Sequence, residues 1–280
     1  MNDEKLHIDL DELLRTKVPK YRRYMPGRLV RWLERTICQD ELNELLDSTA
    51  GTRNEEFAAA ALNYLGATVE AHGLERYSPD DTHRYIFASN HPLGGLDGIA
   101  LIALLGRHYG GRVRCVVNDM LMQVRPLAGV FLPANKHGRQ TEAAVKAIND
   151  AMASDCQMLY FPAGLCSRKM ADGTIADLEW HKSFITKSVE YKRDVVPVYF
   201  SGSNSNRFYR FARWRKRLGI KLNIEMIYLP DEMMRCRGKR FSVTFGAPIP
   251  WTTFTDGQCR PAEYAAMVRK CVYNLKNNEL

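Results

Sequence analysis

Short runs rich in β-branched and aromatic residues alternate along this chain with segments whose apolar residues recur at helical spacing. The runs that we predict as strands are 84–89, 112–117, 157–161, 195–200, 222–228 and 241–245. The segments that we predict as helices are 53–65, 99–109, 141–153, 180–191, 206–218 and 261–276. Because parallel strands need a crossover between them, this alternation favours an α/β fold with a largely parallel central sheet flanked by helices.

Positive charge is concentrated in two short segments. Residues 15–35 contain eight Lys or Arg and one Glu, and residues 207–221 contain seven Lys or Arg and no acid. The net charge of the whole chain is only +8, so the remaining residues are mildly acidic in sum. Apolar residues interleave with the cations at helical spacing, for example Leu29 and Leu33 beside Trp32. Any surface that attracts anionic partners is therefore expected in these two segments.

Three interpretations of these basic amphipathic helices stay open. They could pack their apolar stripes on the core and leave a solvated basic rim. They could lie on an anionic membrane surface, where Trp, Tyr and Arg side chains are favoured. They could bind nucleic acid, but the sequence has no recognisable RNA- or DNA-binding motif, so we expect no nucleic-acid partner. We favour the membrane surface.

Pro19 and Pro26 interrupt the first basic segment, so we expect residues 1–52 to form a helical, basic, amphipathic segment and residues 53–280 to form one α/β domain. No run approaches the roughly 20 apolar residues of a spanning helix. The N-terminus lacks the basic and apolar regions of a signal peptide. Seven scattered cysteines without a C-x-x-C pair are expected to be reduced thiols rather than zinc ligands. These features together predict a cytoplasmic protein.

Two Gly-containing loops follow predicted strands and carry the residues with chemical potential. Strand 84–89 leads into Asn90-His91-Pro92-Leu93-Gly94-Gly95-Leu96-Asp97-Gly98. Strand 157–161 leads into Pro162-Ala163-Gly164-Leu165-Cys166-Ser167-Arg168-Lys169. The carboxyl ends of strands in an open α/β sheet are where ligands bind. A His close to an Asp in such a loop predicts general-base catalysis, in which the imidazole accepts the proton of an attacking hydroxyl and the carboxylate orients the ring.

These two loops resemble the first and third sequence blocks of the lysophospholipid or glycerolipid acyltransferases, the PlsC-like superfamily. Within it, the chain is most similar to the bacterial, hemolysin-like branch of amino-acid-lipid O-acyltransferases. The run Gly129–Asn135 stands where the second block lies, and the run Val196–Val198 stands where the fourth lies. The resemblance extends over residues 85–201 at the level of these motifs.

The resemblance implies an enzyme that moves a fatty acyl group from an acyl thioester, either acyl carrier protein or CoA, to the hydroxyl of a lyso-lipid. It implies His91 as the general base and Asp97 as the acid that orients it, with no metal and no organic cofactor. Because the acceptor is lipidic, it implies an enzyme on the inner face of the cytoplasmic membrane. The substrate-binding positions that it implies are Asn90, Gly94, Gly95, Asn135, Lys136, Arg139, Gly164, Ser167 and Arg168.

One departure from the family pattern concerns the base and its acid. Five residues separate His91 from Asp97 in this chain, where the family has four. In a regular helix an additional residue would misdirect the carboxylate. The pair Gly94-Gly95 can absorb it in a loop, because glycine reaches backbone angles that other residues avoid.

The other departures concern the acceptor. Ala163 and Cys166 stand where the third block has a Glu and an Arg, and Asn135 stands where the second block ends in Arg. These changes remove the forked donors that hold a phosphate dianion. We therefore predict a lyso-amino-acid lipid of the glycine or ornithine type as acceptor. The alternatives are a 1-acylglycerol-3-phosphate acyltransferase of phospholipid synthesis and a non-catalytic lipid-binding or membrane-binding protein on the same fold.

Simpler roles also exist for the same residues. His91 could cap the turn after its strand, Asp97 could be the N-cap of a helix that starts at Gly98, and Arg168 could be a solvated loop residue. Covalent catalysis by Cys166 or its neighbouring serine is not expected, because no base lies near in the sequence. The basic helices could receive an acidic acyl carrier protein instead of a membrane.

Overall fold

The computed structural model describes residues 6–80, 82–134, 141–220 and 223–276. The helices are α1 (Leu10–Lys17), α2 (Pro19–Arg22), α3 (Gly27–Thr36), α4 (Gln39–Ser48), α5 (Asn54–Leu65), α6 (Leu96–His108), α7 (Glu142–Ala153), α8 (Ser183–Tyr191), α9 (Asn206–Arg217), α10 (Leu229–Met234) and α11 (Pro261–Leu275). The strands are β1 (Thr68–His72), β2 (Tyr85–Ser89), β3 (Val113–Asn118), β4 (Phe131–Ala134), β5 (Gln157–Tyr160), β6 (Arg168–Lys169), β7 (Ile175–Ala176), β8 (Asp194–Phe200) and β9 (Arg240–Phe245). All six predicted helices and five of the six predicted strands are confirmed, with ends that move by at most a few residues.

Seven of the strands form one sheet in the order β1-β9-β8-β2-β5-β3-β4. Every neighbouring pair is parallel except β8 and β9, which are antiparallel. The predicted α/β fold with a largely parallel sheet is therefore confirmed. Strand β2 lies between β5 and β8, and all of its residues are buried, as expected for an apolar run that helices cover on both faces.

Helices lie on both faces of the sheet. Tyr85 and Phe87 of β2 belong to the core that contains α5 and α6, whereas Ile86 and Ala88 belong to the core that contains α7, α8 and α11. Successive side chains of a strand point to opposite faces. One central strand therefore contributes side chains to both cores, and the helices on the two faces of the sheet pack against the same strand.

The predicted strand at 222–228 is wrong. Within the described residues, Ile224–Tyr228 is a 3₁₀ helix that leads directly into α10. The segment alternates apolar and polar residues and so imitates a half-exposed strand, but its acid Glu225 is fully buried. Glu225 forms ion pairs with Arg168 and Arg215, and these contacts are tertiary, so they leave no local pattern in the sequence.

Two strands of the large sheet escaped prediction, and both lie at its edges. Strand β1 is rich in polar residues and alternates exposed with half-buried positions, so it has little apolar signal. Strand β4 has only four residues, and one of them is Pro133, which has no N–H group to donate. An edge strand tolerates both features, because one of its sides has no partner strand.

The first four helices lie in the predicted N-terminal segment. Helix α2 begins at Pro19, and Pro26 directly precedes α3, as the prolines predicted. The side chain of Asn43 in α4 exchanges two hydrogen bonds with the main chain of Ile8, at 2.8 and 2.9 Å. The boundary between residues 52 and 53 stays a prediction. Among the described residues, none of the helices combines the length and the apolar composition required to cross a bilayer.

A fully buried arginine, Arg193, directly precedes strand β8 and lies at the end of the sheet opposite to the two Gly-containing loops. Its guanidinium donates only to main-chain carbonyl groups, two of which end helix α7. The acceptors are the carbonyl oxygens of Tyr85, Ala151, Met152, Ser154 and Cys156, at 2.7 to 3.5 Å. Burial lowers the pKa of Arg193 to about 10, so the side chain stays charged at neutral pH. Its positive charge interacts favourably with the C-terminal, negative end of the α7 dipole.

We predict that Arg193→Leu lowers the free energy of unfolding by about 3 kcal/mol or more, because several buried carbonyl groups lose their donor. Urea denaturation at neutral pH measures this change. The matched control is Arg107→Leu at an exposed position of α6, which should stay within about 0.5 kcal/mol of the unchanged protein. Equal stability of the two variants would contradict the role assigned to Arg193.

Candidate active site

The first and third sequence blocks meet at one edge of the sheet. Strands β2 and β5 are parallel neighbours, so the loops that follow them emerge side by side. The main-chain N–H of Ser167 donates to the carbonyl oxygen of His91 at 2.7 Å. The ring of Phe161 lies 4.3 Å from the ring of His91, measured between centroids. The predicted catalytic loops therefore form one structural unit.

Within this unit, His91 contacts the predicted acid directly. Its Nδ1 lies 3.0 Å from Oδ2 of Asp97. The side chain of His91 is 17% exposed, whereas Asp97 is completely buried. A carboxylate only accepts hydrogen bonds, so this contact places the proton of the neutral ring on Nδ1 and leaves Nε2 free of that proton. The geometry is that of a base oriented by an acid.

Main-chain amides hold the carboxylate of Asp97. The N–H groups that donate to its two oxygens belong to Leu93 at 2.9 Å, Gly94 at 3.4 Å, Gly95 at 3.1 Å and Gly98 at 3.0 Å. Burial by itself would raise the pKa of Asp97, but attraction to His91, the hydrogen bond from its ring and the N–H groups of Leu93 and Gly98 outweigh it and lower the pKa. Asp97 therefore remains a carboxylate at neutral pH.

Gly94 and Gly95 accommodate the additional residue between the base and its acid. Gly94 has a φ of +75°, and a Cβ atom there would lie 2.8 Å from Cβ of Cys166. Gly95 is the N-cap of α6, so the alternative prediction that Asp97 is the N-cap is wrong. Asp97 lies in the first turn of the helix, and its side chain turns back to His91.

Asn90 is a predicted substrate-binding residue. Its side chain forms hydrogen bonds with strand β8. Its Nδ2 donates to the carbonyl oxygen of Phe200 at 2.9 Å, and its Oδ1 accepts from the N–H of Phe200 at 2.6 Å. Asn90 is 2% exposed. Both ends of its amide are thus used to join the His91 loop to the neighbouring strand.

The third block contains one exposed and two buried candidates. Gly164 is exposed, has a φ of +63° and lies in a turn. Ser167 is 1% exposed and donates from its hydroxyl to Oδ1 of Asp177 at 2.6 Å. Burial raises the pKa of the fully buried Cys166 thiol to about 11. This thiol is therefore protonated at neutral pH, in agreement with the expectation that no covalent step occurs there.

Arg168 is held by a buried acid and is not a solvated loop residue. Its Nη2 lies 2.8 Å from Oε1 of Glu225, and its Nη1 donates to the carbonyl oxygen of Cys166 at 3.0 Å. The other oxygen of Glu225 lies 2.6 Å from Nε of Arg215 in α9. One acid thus lies between two arginines, so the three groups together keep a net charge of +1, and Nη2 of Arg168 already faces Glu225 before any substrate binds.

Asp177 is a buried acid of the site that sequence analysis missed. It is completely buried, and its oxygens accept from the main-chain N–H of His91 at 3.2 Å, from Ser167, and from Nε1 of Trp180 at 2.9 Å. Burial raises the pKa of Asp177, and the hydrogen bonds from Ser167 and Trp180 oppose that rise. No local motif surrounds this residue, so only its position in the fold reveals it.

Comparison with known proteins agrees with this geometry. A family model described as acyltransferase matches residues 12–279. The chain belongs to this acyltransferase family. The prediction that it is an enzyme that transfers acyl groups is therefore confirmed, as is the resemblance to PlsC-like acyltransferases, whereas the non-catalytic alternative receives no support.

Two relatives of this acyltransferase are similar over nearly their whole length, and both are named lyso-glycine lipid O-acyltransferase. The relative from Bacteroides thetaiotaomicron is 49% identical over 276 residues, which cover 98% of this chain and 100% of the relative. The relative from Phocaeicola vulgatus is 46% identical over 276 residues, which cover 98% of both chains. A solved structure, the 1-acyl-sn-glycerophosphate (LPA) acyltransferase PlsC from Thermotoga maritima, has a TM-score of 0.48 and 16% identity over 79% of this chain and 78% of that chain.

The second block of the acyltransferase is described only in part. Gly129 and Val130 precede strand β4, which provides the residues from Phe131 to Ala134. Asn135, Lys136 and Arg139 lie outside the described residues, so their predicted roles in substrate binding stay predictions.

We predict that Asp97→Asn lowers kcat of this acyltransferase by about 10³-fold to 10⁴-fold, because an amide cannot accept every donor that the carboxylate accepts and no longer fixes the proton on Nδ1. Steady-state acyl transfer measures the effect, and thermal unfolding verifies that the variant is folded. Asp150→Asn is the control, since Asp150 forms only an exposed pair with Lys146. A folded Asp97→Asn enzyme with more than a tenth of the original kcat would remove Asp97 from the catalytic pair.

Proposed function

We propose that this chain transfers a fatty acyl group from an acyl thioester, carried by acyl carrier protein or CoA, to the hydroxyl of a lyso-glycine lipid, with His91 as the general base. The 3.0 Å contact between Nδ1 of His91 and the buried Asp97 carries the catalytic part of this proposal. The names of the two relatives, at 49% and 46% identity, support the acceptor.

The proposed reaction uses one proton transfer in each direction. Nε2 of His91 takes the proton of the acceptor hydroxyl while the oxygen attacks the thioester carbonyl carbon. The tetrahedral intermediate then collapses, the C–S bond breaks, and the leaving thiolate takes the proton from the imidazolium. Asp97 keeps the ring in the tautomer that exposes Nε2 and stabilises the positive charge that the ring carries between the two transfers.

The charges around the third block favour an acceptor with a carboxylate over one with a phosphate. Ala163 and Cys166 are 5% and 0% exposed and offer no cationic group. The guanidinium of Arg168 is paired with Glu225 at 2.8 Å. A phosphate dianion is usually held by forked arginine donors that are free to face it. A glycine headgroup carries a single negative charge and therefore needs fewer cationic groups in the site.

We further propose that the chain binds the anionic inner face of the cytoplasmic membrane, where a lipid acceptor resides. In α3, Leu29 and Trp32 are 40% and 50% exposed, although both have the hydrophobic character of core residues. Trp214 in α9 and Leu218 at the C-terminal cap of α9 are each 55% exposed. Arginines flank both pairs in the sequence, which is the composition of an interfacial helix. Docking of acyl carrier protein on the same basic surface is the competing outcome.

We predict that the purified protein, given an acyl thioester of CoA or of acyl carrier protein, acylates a lyso-glycine lipid with a kcat/KM at least about tenfold above that for lysophosphatidate. Product formation is followed by mass spectrometry. His91→Ala should lower kcat by about 10²-fold to 10⁴-fold without loss of folding. Activity confined to lysophosphatidate would overturn the acceptor, and a folded His91→Ala enzyme with more than a tenth of the activity would overturn the base.

We also predict that Trp32→Ser and Trp214→Ser each lower binding to vesicles that contain phosphatidylglycerol, by about tenfold, because each removes apolar area that would enter the interface. Sedimentation with vesicles measures the partition coefficient. Val145→Ser is the matched control, since Val145 is 41% exposed and lies on α7, outside both basic segments. Unchanged vesicle binding together with weakened binding of acyl carrier protein would assign the basic surface to the carrier.

A further inference from the structure

Asp177 lies outside the four sequence blocks and yet contacts the centre of the site. It follows β7 and precedes α8, in a segment with no recognised motif. Three donors converge on its carboxyl group, namely the main-chain N–H of His91, the hydroxyl of Ser167 and the indole N–H of Trp180. Asp177, Ser167 and Trp180 are 0%, 1% and 3% exposed, so water does not replace these bonds easily.

The main-chain N–H and carbonyl groups of His91 both form hydrogen bonds with this cluster. Its N–H donates to Asp177 at 3.2 Å, and its carbonyl oxygen accepts from the N–H of Ser167 at 2.7 Å. Ser167 is itself bonded to Asp177 through its hydroxyl. Asp97 holds the ring at the other end of the residue. Two acids therefore determine the placement of one imidazole, Asp97 through the ring and Asp177 through the backbone.

The last helix holds Asp177 in turn. The N–H of Asp177 donates to the hydroxyl oxygen of Tyr273 at 2.7 Å, and Arg269 donates to the carbonyl oxygen of Asp177 at 2.7 Å. Both residues lie on α11, which packs against the sheet as part of the second core. Hydrogen bonds of 2.6 to 3.2 Å thus connect α11 to His91 through Asp177 and Ser167.

The chemistry of the cluster requires a carboxyl group rather than an amide. His91 and Ser167 donate to Oδ1, and Trp180 donates to Oδ2, so both oxygens must accept. An asparagine offers one oxygen and one NH₂ group. In either orientation of the amide, at least one of the three donors would face another donor.

We propose that Asp177 is a positioning residue for the reaction proposed above: its buried side chain fixes the main chain of His91 and the hydroxyl of Ser167, and so sets the position of Nε2 relative to the acceptor hydroxyl. This inference rests on the proposed role of His91 as the base. A displacement of the base of about 1 Å lowers the rate of the chemical step by about 10²-fold, whereas it leaves the binding of a long lipid acceptor nearly unchanged.

The test compares Asp177→Asn with the matched control Asp172→Asn, which lies in the turn between β6 and β7. Asp172 also accepts two hydrogen bonds, both from Thr174, but it is exposed. With a lyso-glycine lipid and an acyl thioester as substrates, Asp177→Asn should lower kcat about tenfold to hundredfold and change KM for either substrate less than about threefold. Asp172→Asn should match the unchanged enzyme.

A second variant covers the case in which Asp177→Asn does not fold. Ser167→Ala removes one bond to Asp177 and keeps the N–H that donates to His91. It should lower kcat about threefold to tenfold with KM unchanged, whereas a rise in KM for the acceptor would show that Ser167 binds substrate directly and would overturn the proposal.

The double variant His91→Ala with Asp177→Asn separates a positioning role from a general loss of stability. If Asp177 acts through His91, the second substitution causes no further fall in kcat once the imidazole is absent. A further fall, or a folded Asp177→Asn enzyme with normal kcat beside an inactive His91→Ala enzyme, would overturn the positioning role and leave the proposed function intact. Full activity of His91→Ala would instead overturn the proposed function.

Discussion

Parallel pairing of β2 with both β5 and β8 is the constraint on which the site depends. All of β2 is buried, so its register is fixed by side chains on two faces at once. The loop after β2 carries His91, the loop after β5 carries the third block, and Phe200 at the end of β8 is bonded to Asn90. A slip of any one strand would move one of these partners away from the others.

Hydrogen-bond donors around two buried acids account for the electrostatics of the site. Four main-chain N–H groups and the His91 ring surround the carboxylate of Asp97, and the effects of His91 and of the N–H groups of Leu93 and Gly98 on its pKa together exceed that of burial. At Asp177 the balance differs, because burial raises its pKa despite three donors. The two acids therefore fit the different tasks proposed for them, since Asp97 would stabilise an ionised ring and Asp177 would hold the main chain of His91 in place.

The sequence predicted those parts of the molecule that depend on local patterns. Apolar runs identified the interior strands, and the sequence neighbours His91, Gly94 and Asp97 identified the candidate catalytic loop. Prediction failed where the decisive contact joins distant residues. Glu225 resembled part of a strand because its two arginine partners lie elsewhere in the chain. Asp177 has no neighbouring motif. Its hydrogen-bond partners are His91 in the first loop, Ser167 in the second loop, and Trp180 in the segment that precedes α8.

The arrangement of Arg168, Glu225 and Arg215 links a surface helix to the interior. Arg215 belongs to α9, Arg168 belongs to the short strand β6 beside the catalytic loop, and the acid between them is fully buried. Separating both arginines from this acid would leave an uncompensated charge away from water, at a cost of about 3–5 kcal/mol. Helix α9 and this loop are therefore expected to translate and rotate as a rigid body. A contact that immobilises α9 is therefore expected to immobilise the third sequence block beside His91 as well.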